Sequence, residues 1–223
     1  MAQTDSISAA VEDYAKAIYA LESAGGGPVS NNSLAERLSV TPASASAMVK
    51  KLGGLGLVEH VPYRGVELTP DGRRVALEVL RHHRLLELYL AENLDVPWDR
   101  VHDEAEVLEH FISEDLEALI AAKLGDPTED PHGDPIPTVD LQIAAHTGVP
   151  LQELEPGMRG RFIRVSDSDP AMLRWLAERC VRPGDDLAVV DKQPFGGPLT
   201  VRVRESEHVL GGGIAAAMRI ELH

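Results

Sequence analysis

Two stretches in the middle of the sequence carry imidazoles and carboxylates at intervals that matter on a helix. His83 and Glu87 are four residues apart, His102 and Glu106 are four apart, and Glu106, Glu109 and His110 fall at i, i+3 and i+4. Those intervals stack side chains on one helical face. A Glu-x-x-Glu-His run can aim two carboxylates and an imidazole at one point, and a second helix with His and Glu adds a chelating wall of oxygen and nitrogen donors. His and Glu are also common on solvated helices, so any one pair taken alone reads as ordinary surface. The pairs gain weight from the loop Asp130-Pro131-His132-Gly133-Asp134-Pro135 nearby and from the charge around them.

That charge is uneven. The 223-residue chain has a formal net charge of -15, with 7 basic and 8 acidic side chains in residues 1–74, 4 and 19 in 75–155, and 10 and 9 in 156–223. The excess acid is confined to the middle third, which is either a solvated face or a place where bound cations offset the repulsion. The single cysteine, Cys180, excludes an internal disulfide and a Cys-rich zinc knuckle, so any metal is held mostly by oxygen and nitrogen. The length and the 43% apolar content suffice for a core of one large or two to three small domains and exclude a disordered or fibrous chain. The start MAQTDSISAA has neither the basic nor the apolar region of a signal peptide, and no apolar run reaches a membrane span, so a cytoplasmic protein without membrane partners is expected.

The elements that must position these residues follow from spacing. Val11, Tyr14, Ala15, Ile18, Tyr19 and Leu21 predict a helix over 10–21, stopped by Gly25-Gly26-Gly27-Pro28. A short helix over 33–38 follows, then Thr41-Pro42, a cap and a first-turn proline, opens a third to about residue 52. Residues 56–61 and 65–69 read as a hairpin, and helix, helix, turn, helix, hairpin is a winged helix-turn-helix. Helical patterns over 70–94 and 98–124 predict a second, all-helical unit. Six prolines between Gly125 and Gly157 exclude a continuous helix there. Beyond them, strand-like runs at 161–165, 187–190, 199–203 and 218–222, with one helix near 170–179, predict a small β-barrel. The fold class is therefore mainly α and multi-domain. Its expected segments are a DNA-binding domain at 1–74, a helical domain at 75–140, a linker at 141–157 and a C-terminal domain at 158–223.

In such a winged helix the second helix of the motif enters the major groove. It offers Thr41, Ser44, Ser46, Lys50 and Lys51, with Tyr63 and Arg64 at the wing tip. Hydroxyls suit phosphates or bases, and the basic residues suit phosphate contacts with counterion release. The competing reading is a winged helix used for protein contacts.

Taken together, the residues resemble the diphtheria toxin repressor and manganese transport regulator family of metal-dependent transcriptional repressors. The resemblance spans almost the whole chain. It rests on Val11-Glu12-Asp13-Tyr14 with Ile18-Tyr19, Leu34-Ala35-Glu36-Arg37-Leu38, Gly56-Leu57-Val58, Leu68-Thr69-Pro70-Asp71-Gly72, Arg81-His82-His83-Arg84-Leu85-Leu86-Glu87, Val101-His102-Asp103-Glu104-Ala105-Glu106 with Glu109-His110, and Asp130 to Pro137. It implies a homodimer on a double-stranded operator, a helical metal-binding and dimerisation domain, and a C-terminal SH3-like domain. It further implies a primary metal site of Asp13, Glu106, Glu109 and His110. An ancillary site would use His83, Glu87 and His102, with Asp169 as an arm from the C-terminal domain and His132 as a further candidate; Asp130 could belong to either. Asp169, just before Pro170, reads equally well as a helix cap. Lys16 departs from small two-domain manganese members, which have a carboxylate there, so two separate sites per subunit are expected rather than a binuclear cluster.

Ligand softness selects the metal. In iron-dependent relatives the positions matching Asp13 and Glu106 are Met and Cys, whereas manganese-dependent relatives have carboxylates. Oxygen donors with one imidazole suit Mn(II). The expected function is thus a Mn(II)-activated repressor of manganese uptake genes, and not an enzyme. The alternatives are an Fe(II)-activated repressor of iron uptake genes, a di-metal helical-bundle enzyme, and a metal-independent regulator answering to an organic effector.

Overall fold

The structure, a computed structural model, describes residues 7–145 and 147–223; residues 1–6 of the expected DNA-binding segment and His146 of the expected linker lie outside the described residues. The chain divides into two compact units. One runs to His82 and adds Glu109–Ile112 and Pro137–Gln142; the other comprises His83–Leu108, Ser113–Ile136 and Ile143–His223.

In the first unit, α1 (Ala9–Gly25) buries Val11, Tyr14, Ala15 and Ile18, the face that the spacing selects, and ends where Gly26 turns left-handed and donates its N–H to the Glu22 carbonyl. Ser30 caps α2 (Asn31–Arg37) by accepting from Ser33 N–H, and Thr41 caps α3 (Pro42–Gly54) by accepting from Ser44 N–H. The wing is the antiparallel pair β1 (Val58–Val61) and β2 (Gly65–Leu68). Val29 bridges to Val66 in both directions. A Cβ on Gly65 (φ +121) would overlap the Val29 carbonyl, so glycine is required for this close approach. Ile18, Leu34 and Leu52 are fully buried in the core of this unit, and truncating any one of them to Ala costs about 2–5 kcal/mol. Thr69 starts α4 (Pro70–Asn93): its hydroxyl donates to the Gly56 carbonyl at 2.7 Å and accepts from Gly72 N–H at 3.1 Å.

In the second unit, α5 (Val101–Leu108) and α6 (Glu114–Leu124) replace the single helix expected over 98–124. Residues 109–113 break it because Ser113 caps a new start, accepting from Leu116 N–H at 3.3 Å, with Glu114, Asp115 and Glu117 favourably placed in the first turn. Apolar periodicity carries through such a break unseen. The C-terminal part forms an antiparallel six-stranded sheet of order β3-β8-β4-β5-β6-β7. Its strands are β3 (Val149–Pro150), β4 (Arg159–Val165), β5 (Asp186–Lys192), β6 (Leu199–Val203), β7 (Ser206–Leu210) and β8 (Met218–Leu222). The sequence pattern does not reveal β3 and β7, since one is two residues long and the other follows a tight Arg204-Glu205 turn without glycine. Two helices, α7 (Pro170–Glu178) and α8 (Gly212–Ala217), accompany the sheet. Phe162, Leu173, Leu176, Leu210 and Ile220 form a dry core, against which Trp98 packs while donating its indole N–H to the Leu173 carbonyl. No helix among the described residues is long and apolar enough to cross a membrane.

Candidate metal centres and nucleic-acid interface

The first unit brings Asp13, Glu109 and His110 together, with ligand atoms mutually within 4.8 Å. Asp13 comes from α1, and Glu109 and His110 from the turn after α5. His110 Nδ1 lies 2.6 Å from Glu12 Oε2, which fixes the ring and leaves Nε2 facing Asp13 Oδ1 at 2.9 Å and Glu109 Oε1 at 3.4 Å. A carboxylate that orients a histidine through its far nitrogen is the usual support of a metal-ligating imidazole. Sequence reasoning misses the part played by Glu12. Its position beside Asp13, one step round α1, is the available signal. Lys16, also unassigned as a contact, places Nζ 2.6 and 2.9 Å from the two oxygens of Glu109, whose side chain has no exposed surface. His82 Nδ1 meets the Glu109 carbonyl at 3.2 Å.

The second unit holds a larger cluster. His83 Nε2 is 3.1 Å from Glu87 Oε1 and 3.1 Å from His102 Nδ1, and His102 Nδ1 is 3.3 Å from both Glu87 Oε1 and Asp167 Oδ2. Glu106, expected with Glu109 and His110, lies in this second unit near His83 and His102, its Oε1 3.8 Å from each ring. α5 ends at Leu108, so Glu106 is on the helix and Glu109 and His110 are in the turn that follows it. Burial opposes ionisation of Glu87, but the neighbouring His83 and the hydrogen bonds from His102 and His83 outweigh it and hold its carboxyl well below the usual range. The hydrogen bonds with Asp167 and Glu87 push His102 up to about 10 against the penalty of burial. Burial likewise raises Asp167, and His102 more than reverses it. In this form the protonated imidazole supplies a positive charge that a divalent ion could supply instead.

His132 is completely buried, stacked on Trp98 at 5.6 Å, with Nε2 2.9 Å from the Trp98 carbonyl. A carbonyl only accepts, so Nε2 carries a proton. Nδ1 is buried without a hydrogen-bond partner, and one ring nitrogen of His132 groups with carboxylate oxygens of Glu87 and Asp167 within 4.8 Å. A buried imidazole with an unpartnered nitrogen, grouped with two carboxylates, fits a cation site. Asp130 is occupied by its own loop. Its Oδ1 accepts from the N–H of His132 and of Asp134 at 2.8 and 3.0 Å, and Oδ2 lies 3.6 Å from Arg84 Nε. Burial, with Glu87 and Asp134 nearby, pushes its carboxyl well up despite Arg84. Asp130 thus shapes the loop that carries His132, which seats where Gly133 lies flush on the Ile163 carbonyl and Val165 N–H bonds the His132 carbonyl. Asp169 caps α7, accepting from Ala171 and Met172 N–H, and the residue facing His102 is Asp167, two positions earlier. The strand-to-helix turn decides between the two, and spacing alone does not reveal it.

Thr41, Ser44, Ser46, Lys50, Lys51, Tyr63 and Arg64 are all exposed. Ala43, Ser46, Ala47 and Lys50 make an exposed stripe along α3 at i, i+3, i+4 and i+7, in which the first three small side chains permit close approach. Thr41 and Ser44 hydrogen-bond each other at the cap, and Asn31 donates to Ser46 Oγ at 2.9 Å, so Asn31 joins this surface. Tyr63 stands fully exposed at the wing tip with φ +65.

Residues 6–66 match the iron-dependent repressor N-terminal DNA-binding domain, residues 69–138 the iron-dependent repressor metal-binding and dimerisation domain, and residues 149–222 the FeoA domain. The chain is similar to the iron-dependent repressor IdeR of Mycobacterium tuberculosis, 38% identical over 202 residues that span 90% of this chain and 73% of that protein. It is 30% identical to the diphtheria toxin repressor of Corynebacterium diphtheriae over 220 residues, 94% of this chain and 96% of that one. Among solved structures it is similar to a manganese-dependent transcriptional repressor in complex with manganese, at 40% identity and a TM-score of 0.87 over 96% of this chain and 100% of that chain. It is also similar to the manganese regulator SloR, at 30% identity and a TM-score of 0.75 over 96% and 98%.

Proposed function

This chain belongs to the diphtheria toxin repressor family of metal-dependent, DNA-binding transcriptional repressors, with an SH3-like FeoA domain at its C-terminal end, and from that premise we propose that its activating ion is Mn(II). The observation that carries this is the donor set of Asp13, Glu109 and His110, two carboxylates and one imidazole with no sulfur. Such oxygen-rich sites suit Mn(II) among physiological ions, with selectivity residing in which ion yields the active arrangement rather than in raw affinity. When bound, the ion supplies a divalent charge shared by α1 and the segment after α5. The chain's own residues prepare for it: Glu12 aims His110, and His82 holds the Glu109 backbone.

A second ion per subunit is assigned to the ancillary cluster of His83, Glu87 and His102, with Asp167 and His132 as further ligands and Glu106 at its rim. The repressor acts as a homodimer on palindromic operators of manganese uptake genes. Exposed Val107, Leu116 and Leu119 on α5 and α6 support the dimer, because apolar side chains left in water favour a self-complementary contact. The α3 stripe, Lys50, Lys51 and the wing tip contact DNA, with recognition helices spaced about one or more helical turns apart. The iron-dependent repressors among its relatives favour Fe(II) as the second reading. The test is retention of genomic DNA fragments by metal-stripped protein under anaerobic conditions, with Mn(II), Fe(II), Zn(II) or chelator in parallel. Retention near a manganese-transporter gene with Mn(II) at micromolar level is expected. Activation by Fe(II) alone would replace the first reading by the second.

A further inference from the structure

We propose that the Lys16 ammonium is a resident cation of the Asp13–Glu109–His110 centre, competing with the divalent ion for Glu109 and thereby setting how tightly that ion is held. The inference rests on the reading of those three residues as metal ligands. Lys16 lies three residues after Asp13 on α1, hence on the same face. Its Nζ meets both Glu109 oxygens at 2.6 and 2.9 Å, and the Glu109 side chain is wholly buried. The oxygen nearer Nζ is the one 3.4 Å from His110 Nε2, so the ammonium and the ligand imidazole address the same atom.

Charge makes the arrangement more than a helix-to-turn tether. Glu12, Asp13 and Glu109 bring three negative charges to one imidazole; the ammonium offsets one, and a divalent ion offsets the remaining two. Without any cation a buried carboxylate is costly, so Lys16 keeps Glu109 in place in the metal-free protein. When the ion arrives, it must share that carboxylate with a fixed positive charge a few ångströms away. Lysine suits this role, being a compact point charge on a flexible stem that can withdraw without leaving the site.

A structural tether and a competing cation predict opposite signs. If Lys16 only braces the turn, removing it loosens the ligands and weakens metal binding. If it competes, removing it relieves the cation–cation repulsion and leaves Glu109 in need of a cation, so binding tightens. The experiment measures Mn(II) binding to full-length, metal-stripped protein by the electron paramagnetic resonance signal of free Mn(II), for wild type, Lys16→Met, Lys16→Gln and His110→Ala, with thermal unfolding of each metal-free form. Lys16→Gln keeps a donor to Glu109 and guards against failure of Lys16→Met to fold. The expected result is at least tenfold tighter binding of one Mn(II) per chain in the Lys16 variants, a lower metal-free Tm, and a larger Tm gain on adding Mn(II). Unchanged or weaker Mn(II) affinity in the folded variants overturns the proposal, while loss of one Mn(II) per chain in His110→Ala leaves the underlying centre standing. Full Mn(II) stoichiometry in His110→Ala overturns the centre itself and the proposal with it.

Discussion

The two acidic clusters solve the same electrostatic problem by different means. In the first unit three carboxylates surround one histidine, and the compensating charge is borrowed from Lys16, a side chain that cannot itself ligate a metal while protonated. In the second, Glu87 and Asp167 are compensated from within, by the imidazole of His102, which its hydrogen bonds with Asp167 and Glu87 push up to about 10. A cluster rich in imidazole can carry its own charge; a cluster rich in carboxylate needs a cation from outside the ligand set. On the proposed reading the cluster of the first unit is the one that answers to the divalent ion, while that of the second is knitted through α4, α5 and the His132 loop.

His110→Ala should break the contrast most severely. It removes the imidazole of the first donor set and is expected to weaken Mn(II)-dependent operator retention by more than the roughly hundredfold that sets the upper range for supporting residues; a titration of retained DNA against Mn(II) reads this. Glu87→Gln strikes the other cluster, where loss of the charge facing His83 and His102 should lower the stability of the metal-free protein by about 2 kcal/mol, seen as a reduced urea midpoint at unchanged slope. Operator affinity at saturating Mn(II) should change little by comparison, and a larger defect there would erase the proposed division of labour.

Glu12→Gln keeps the shape beside His110 but removes the charge that aims the ring. About a tenfold to hundredfold loss in metal affinity is expected, with DNA binding recovered at high Mn(II), which separates it from His110→Ala. The smallest effect should come from Asp169→Ala, about 1 kcal/mol from the lost α7 cap, without any change in Mn(II) stoichiometry. Asp167→Asn is its counterpart and should alter metal binding at the second cluster. If calorimetry gave the two substitutions the same Mn(II) isotherm, Asp167 would have no role as a ligand.

The order of the elements is legible because local signals are strong. Gly26 stops α1, Thr41-Pro42 opens α3, the wing alternates, and Asp130-Pro131-His132-Gly133 announces a fixed loop. The pairs His83–Glu87 and Glu109–His110 are visible as well, since each is joined by short-range geometry. Harder to see is which pairs belong together. The break at residues 109–113 hinges on Ser113, a single capping hydroxyl within a continuous apolar pattern, and the approach of Glu106 to His83 and His102 depends on how α4 and α5 pack.

Composition and periodicity by themselves determined a winged helix, an all-helical unit and a β-rich C-terminal part, because burial of alternating or helically spaced apolar residues is a property of the chain's own neighbourhood. Tertiary structure decided the contacts of charge with charge. That Lys16 rather than solvent faces Glu109, that Asp167 rather than Asp169 faces His102, and that His132 keeps one nitrogen without a hydrogen bond all depend on side chains far apart in sequence. Coulomb and hydrogen-bond energies act over a few ångströms in space, and only folding sets those distances.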